Sequence, residues 1–135
     1  MDTLLSTSDT LSKQGSEGGD VAALVSSLQL LLPASSIIMS RESQRPFECD
    51  GLAVYQQLPL VTVIPETVDQ VQAILRLCHL HRVPLVPRGA GTGLCAGAMP
   101  HAEGVLLVTS KLNKILHINQ KTSTATVQPG VRNLA

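Results

Sequence analysis

The chain has 135 residues, 44% of them apolar and 15% charged, which bounds it to one globular domain at most. No apolar run approaches the ~20 residues of a membrane helix, and the two aromatic residues, Phe47 and Tyr55, are too few for nucleic-acid modules that stack bases on rings. Formal charge sums to zero, yet residues 1–70 hold nine acids and three Lys/Arg while residues 71–135 hold one acid, Glu103, and seven Lys/Arg.

Such a split means either that the second half meets an anion or acidic partner, or that the two halves, or a missing acidic remainder, complement one another. Cys49, Cys78 and Cys95 have no zinc-ligand spacing and read as reduced cytosolic thiols. The first residues lack the basic and apolar regions of a secretory signal, and Asp2 and Asp9 count against a transit peptide. The expected location is cytoplasmic.

Residues 1–19 are polar and Gly/Ser/Thr-rich and are expected to be disordered. Asp20 is placed to cap a short apolar helix, Val21–Leu32, closed by Pro33. A β-like run, Ile37-Ile38-Met39, leads into an irregular segment, Arg41–Tyr55. Val61–Ile64 is a strand candidate. Thr67-Val68-Asp69-Gln70 matches a capping box, and the helix it opens, reaching about His81, sets Val68, Val71, Leu75 and Cys78 on one face.

Val83–Pro87 is the next strand, so the order is strand–helix–strand, with parallel pairing and a right-handed connection expected. After a glycine-rich stretch come strand candidates Val105–Thr109 and Ile115–Ile118. Thr124–Gln128 alternates as a half-buried strand would. Val131–Ala135 looks like a helix beginning, too short to persist alone, so the terminus looks cut.

The most informative segment runs from Pro87 through Arg88, Gly89, Ala90, Gly91, Thr92, Gly93 and Leu94 to Ala98. Its glycines permit unusual backbone angles and close approach of a ligand, and consecutive N–H groups in such a turn form an anion-binding concavity. Thr92 adds a hydroxyl, and Arg88 a positive charge at the loop entrance. Together with the acid-free stretch after Glu103, these favour a diphosphate over a loop whose glycines serve only the backbone. Gly91–Ala96 satisfies the relaxed dinucleotide pattern GxGxxA, but that motif opens directly into a helix and needs a ribose-binding acid about 20 residues on. Gly97-Ala98-Met99-Pro100 interrupts any helix, and Lys111, Asn113 and Lys114 stand where the acid should be. A P-loop fails too, for want of Gly-Lys-Ser/Thr.

Four collinear blocks carry a family resemblance: Pro46–Leu52, Val83–Leu94, Gly104–Val108 and Val127–Leu134. From about Arg45 to Ala135 the chain resembles the FAD-binding domain of the vanillyl-alcohol-oxidase/p-cresol-methylhydroxylase type. Within it, the chain is similar to glycolate oxidase flavoprotein subunits and their D-lactate dehydrogenase relatives. The resemblance implies an α/β (α+β) fold: a small parallel βαβ unit, with the domain truncated before its second subdomain is complete. Residues 1–40 would be a disordered N-terminus plus a short helix, and 41–135 the N-terminal part of the domain.

It further implies that Arg88, Gly89, Ala90, Gly91, Thr92, Gly93 and Leu94 wrap the FAD diphosphate, with Pro129, Gly130 and Val131 near the flavin. The family often has Ser-Gly-Gly where this chain has Cys95-Ala96-Gly97. Thr92 stands where covalently flavinylated members carry His, so FAD is expected to be non-covalent. The intact enzyme would oxidise a small 2-hydroxy acid alongside other oxidase subunits, including an iron–sulfur subunit, in the cytoplasm or peripheral to the inner face of the membrane. The competing reading is a non-catalytic truncated fragment without stable cofactor binding, and a basic nucleic-acid-binding module is disfavoured. His79 and His81 are read as helix-end charges rather than metal ligands, Cys78 as core, and Lys111, Lys114 and Lys121 as solvated turn charges rather than a docking patch.

Overall fold

A computed structural model describes residues 20–133. The disorder expected for residues 1–19 falls outside them, as do Leu134 and Ala135. Val131–Asn133 carry no helix.

Asp20 caps α1 (Val21–Leu31), its side chain accepting from the Ala23 amide at 3.1 Å. The chain then forms β1 (Ile37–Ile38) and α2 (Arg41–Gln44), followed by a 3₁₀ turn at Arg45–Phe47. The segment expected to be irregular therefore contains helix. Ser40 caps it, with its hydroxyl accepting from the Ser43 amide. After β2 (Val61–Val63), Thr67 and Gln70 complete the expected capping box of α3 (Val68–Leu80). Strands β3 (Leu85–Arg88), β4 (Val105–Val108), β5 (Ile115–Asn119) and β6 (Thr124–Val127) complete the order.

The main sheet has the order β1-β2-β4-β3, with β2 and β3 both parallel to β4 and β1 antiparallel at the edge. The expected strand–helix–strand unit is thus present, but its two strands are not neighbours. The third strand inserts between them, burying β4 on both faces. Its all-apolar sequence, Val-Leu-Leu-Val, is what a central parallel strand requires.

Alternation along the strands sorts the core. Val61, Val63, Val105 and Leu107 join Leu24, Leu28 and Leu32 of α1 and Ile74 and Cys78 of α3 in one cluster. Thr62, Leu106 and Val108 are buried outside that cluster, on the opposite face. The face that α3 buries is Ile74 and Cys78, with Val71 and Leu77 partly buried beside them, rotated from the expected one. Val68 and Leu75 are about half exposed, because α1 rather than solvent lies against the Ile74 side. No described helix is long and apolar enough to cross a membrane.

The β5–β6 pair is a separate antiparallel hairpin. The half-burial expected for residues 124–128 is not observed. β6 is exposed throughout, and Ile115, Leu116 and Ile118 of β5 are also exposed, since no described element packs on either face.

Candidate functional site

Ligands of open parallel sheets lie beyond the carboxyl ends of the strands, where connecting loops diverge. Here the carboxyl end of β3 runs into the glycine-rich stretch, and that of β4 into the Thr109–Lys114 turn. Thr109 extends the β3–β4 ladder by one bond, its amide donating to the Arg88 carbonyl at 2.9 Å. Between these loops and the far end of the β5–β6 hairpin opens a cleft of about 940 Å³. It is lined by Gly89, Ala90 and Thr92 of the glycine loop, by Ser110, Asn113 and Ile115 of the turn after β4, and by Pro129 through Asn133.

Two of the sequence-predicted groups, Gly89/Ala90/Thr92 and Pro129/Gly130/Val131, are therefore brought to one cavity. Gly130 is fixed there by close approach. Its amide donates to the Leu112 carbonyl at 2.8 Å, and a Cβ would overlap the Thr109 carbonyl oxygen. No described acceptor takes a hydrogen bond from the amides of Ala90 through Leu94. Gly89 and Gly93 have nothing within 4 Å of where a Cβ would stand. Solvated N–H groups and space in front of glycines are what a phosphate cradle needs.

Arg88 does not stand at the loop entrance as expected. It pairs with Val108 in the sheet, so its side chain takes the face opposite the helices, beneath the 45–52 segment. It is 7% exposed and donates through Nη1 to the Cys49 carbonyl at 2.7 Å, with longer contacts to the carbonyls of Phe47 and Ala98. The Phe47 ring lies 5.8 Å away. Gly91, at φ +72°, sits over the guanidinium, while Leu94 is exposed to solvent away from the cleft lining.

Asp50 was not singled out from the sequence. It is 6% exposed and its two carboxylate oxygens accept from the amides of Leu52 at 3.0 Å and Ala96 at 2.8 Å. Beside it the Gly51 amide donates to the Gly93 carbonyl at 2.9 Å, and a Cβ on Gly51 would lie 2.7 Å from the Thr92 carbonyl oxygen. Asp50-Gly51 thus clamps the loop from below. The signal available was an acid-glycine pair in a segment otherwise lacking one, which a turn explains equally well.

The remaining candidates resolve simply. Cys78 is core, and burial pushes its thiol up to about 11. Lys111, partly exposed, is also tied down: its ammonium bridges Glu66 at 2.7 Å and the buried Ser36 hydroxyl at 3.0 Å.

Residues 59–135 match the FAD binding domain family. The glycolate oxidase subunit GlcD of Escherichia coli (strain K12) is 48% identical over 116 residues, 86% of this chain and 23% of that protein. The D-2-hydroxyglutarate dehydrogenase of Stutzerimonas stutzeri (strain A1501) is 34% identical over 109 residues, 81% of this chain and 24% of the relative. Among solved structures, p-cresol methylhydroxylase with substrate bound superposes with a TM-score of 0.71 at 28% identity, over 82% of this chain and 22% of that one. The chain spans about a quarter of the length of these relatives.

Proposed function

The chain belongs to the FAD binding domain family, and on that basis we propose that it is the diphosphate-gripping part of a flavin-dependent 2-hydroxy-acid dehydrogenase. Residues 41–135 would form the N-terminal part of the FAD-binding domain, with α1 packed into the same core. The observation that carries the reading is the run of amides from Ala90 to Leu94, without an acceptor among the described residues, in a loop whose Gly89, Ala90 and Thr92 line a cleft on the carboxyl side of a parallel sheet.

In this reading Gly89, Ala90 and Thr92 offer backbone N–H groups to the diphosphate from the cleft lining, Gly91 and Gly93 let the loop curl around it, Leu94 ends the loop outside the lining, and the Thr92 hydroxyl adds a donor. Pro129, Gly130 and Val131 line the same cleft, toward the flavin. Arg88 contributes from beneath, holding the loop rather than touching the ligand. Asp50 fixes the loop's far end through the Ala96 amide. Bound non-covalently, FAD would supply the two-electron acceptor for hydride from the carbinol carbon of a small 2-hydroxy acid. The chain's own task is grip and orientation. Relatives named for glycolate oxidase and D-2-hydroxyglutarate dehydrogenase support that substrate class. Acid–base residues and further oxidase subunits, an iron–sulfur subunit among them, would belong to the intact assembly, cytoplasmic or at the inner membrane face.

The test is direct. The purified chain, supplied with FAD, should show flavin absorbance that is released into the filtrate on denaturation. Colour that stays with the denatured polypeptide would contradict non-covalent attachment. No retention of FAD at all would leave the chain as a non-catalytic fragment.

A further inference from the structure

The loop's own arginine is spent beneath it, with Arg88 donating to the carbonyls of Cys49, Phe47 and Ala98. A diphosphate in the cleft therefore needs another cation. Arg132 is the one charged side chain among the described residues that line the cleft, and none of those residues carries a carboxylate. Arg132 is exposed and has no hydrogen bond or ion pair with any described residue. In the adjoining turn Lys111 is held by Glu66 at 2.7 Å, and Lys114 is not among the residues that line the cleft.

The backbone delivering Arg132 is fixed on its N-terminal side. The Gly130 amide is bonded to Leu112 and the Val131 amide to Gln128 at 3.1 Å. A cation is thus presented from a pinned turn into the same cleft that Gly89, Ala90 and Thr92 line, where the Ala90 and Thr92 amides have no described acceptor. Guanidinium is the side chain whose fork geometry matches phosphate oxygens.

We infer that Arg132 is the charge-compensating ligand for the FAD diphosphate, engaging it from the Pro129–Asn133 part of the cleft lining. The inference rests on the cofactor assignment above and adds to it the residue that supplies charge. It also accounts for the acid-free stretch after Glu103: a carboxylate beside Arg132 would neutralise the cation the diphosphate requires.

The experiment titrates the full chain with FAD, with ADP, which has a diphosphate and no flavin, and with riboflavin, which has the flavin and no phosphate. Arg132→Ala should weaken FAD and ADP about 10-fold or more, the loss of one charge-assisted contact, and leave riboflavin unchanged. Arg132→Lys should recover most of that loss, since an ammonium still binds phosphate as a point charge. Lys121→Ala, on the exposed hairpin turn, should alter none of the three and so separates a local contact from general attraction. Arg132 is exposed, so its variants should melt with the parent chain. FAD and ADP binding by Arg132→Ala at parental strength would overturn the inference while leaving the cofactor assignment standing. An equal loss of riboflavin would also overturn it, placing Arg132 at the flavin instead. A parent chain that binds neither FAD nor ADP would overturn both.

Discussion

The guanidinium of Arg88 occupies the volume that a side chain on Gly91 would need. The two residues are three apart in a glycine-rich sequence that could be taken as simple flexibility, yet each determines the other. Gly91 at φ +72° lets the chain cross above Arg88, and Arg88 fills the space below by bonding carbonyls of two separate segments. Gly91→Ala should therefore cost more than the ~1–2 kcal/mol of left-handed strain, because the methyl also displaces the guanidinium. Arg88→Met should destabilise by about 3 kcal/mol, since it leaves the Cys49 carbonyl without its charged donor. Denaturant titration of both variants checks this. An Arg88→Met chain of unaltered midpoint would show that the buried network contributes nothing.

Asp50 ties the same loop from its other end. Its side chain accepts from two amides, one local and one 46 residues away. Asp50→Asn keeps the shape but presents one carbonyl oxygen where two carboxylate oxygens accepted, so about 1–3 kcal/mol should be lost. Proteolysis should report where. Cleavage between Ala90 and Met99 is expected to accelerate while cleavage within α3 does not.

How far the sequence disclosed this arrangement depends on whether the deciding interaction was local. Thr67 and Gln70 satisfy each other within one turn, and Asp20 caps its own helix, so both helix starts were readable. The glycine loop and the Pro129–Val131 turn were assigned to one site, and they share a cleft. What could not be read required knowing strand order. Inserting β4 between β2 and β3 is a tertiary outcome, and it sends Arg88 to the buried face. The face of α3 was misplaced because Val68 and Leu75 fit a helical period as well as Ile74 does, and only the position of α1 decides between them. The hairpin's alternation promised a buried face, but alternation states what a strand could bury, not what is present to cover it.

Ala96 lies in the left-handed region at φ +57° without the freedom of glycine. Its amide is nevertheless held by Asp50, so the strain is imposed from outside the residue. Ala96→Gly should remove about 1–2 kcal/mol of strain against up to ~1 kcal/mol of added unfolded-state entropy, a net gain of about 0.5 kcal/mol. A higher melting temperature is expected. A lower one would mean that the methyl makes a contact worth more than the strain.

Thr62 stands in the middle of β2, fully buried, with a hydroxyl that has no hydrogen-bond partner among the described residues. Thr62→Val keeps the β-branched shape in a strand flanked by apolar neighbours and removes an unsatisfied polar atom. It should stabilise by about 1 kcal/mol. An unfolding midpoint below that of the parent would show that the hydroxyl is satisfied after all.

Cys78 gives the chain a pH dependence on the alkaline side. Burial in the α1–α3 core raises its thiol from 9.0 to about 11. The neutral thiol is the form the folded state holds, so the contribution to stability is complete below pH 9.0. It is lost as pH rises from there toward about 11, where the unfolded chain ionises first. Across that window the loss should be of order 2–3 kcal/mol. Comparing the parent with Cys78→Ala isolates it, since the two chains differ in no other ionisable group. The parent should lose more stability between about pH 8 and about pH 10.5 than the variant does, although the variant starts lower because of the volume removed. Thiol labelling offers a second reading of the same burial. The exposed Cys95 should react in the native chain, and Cys78 only once denaturant opens the core. Parallel pH profiles together with native-state labelling of Cys78 would show that the helix pair opens readily, and the packing of α1 on α3 would have to be rethought.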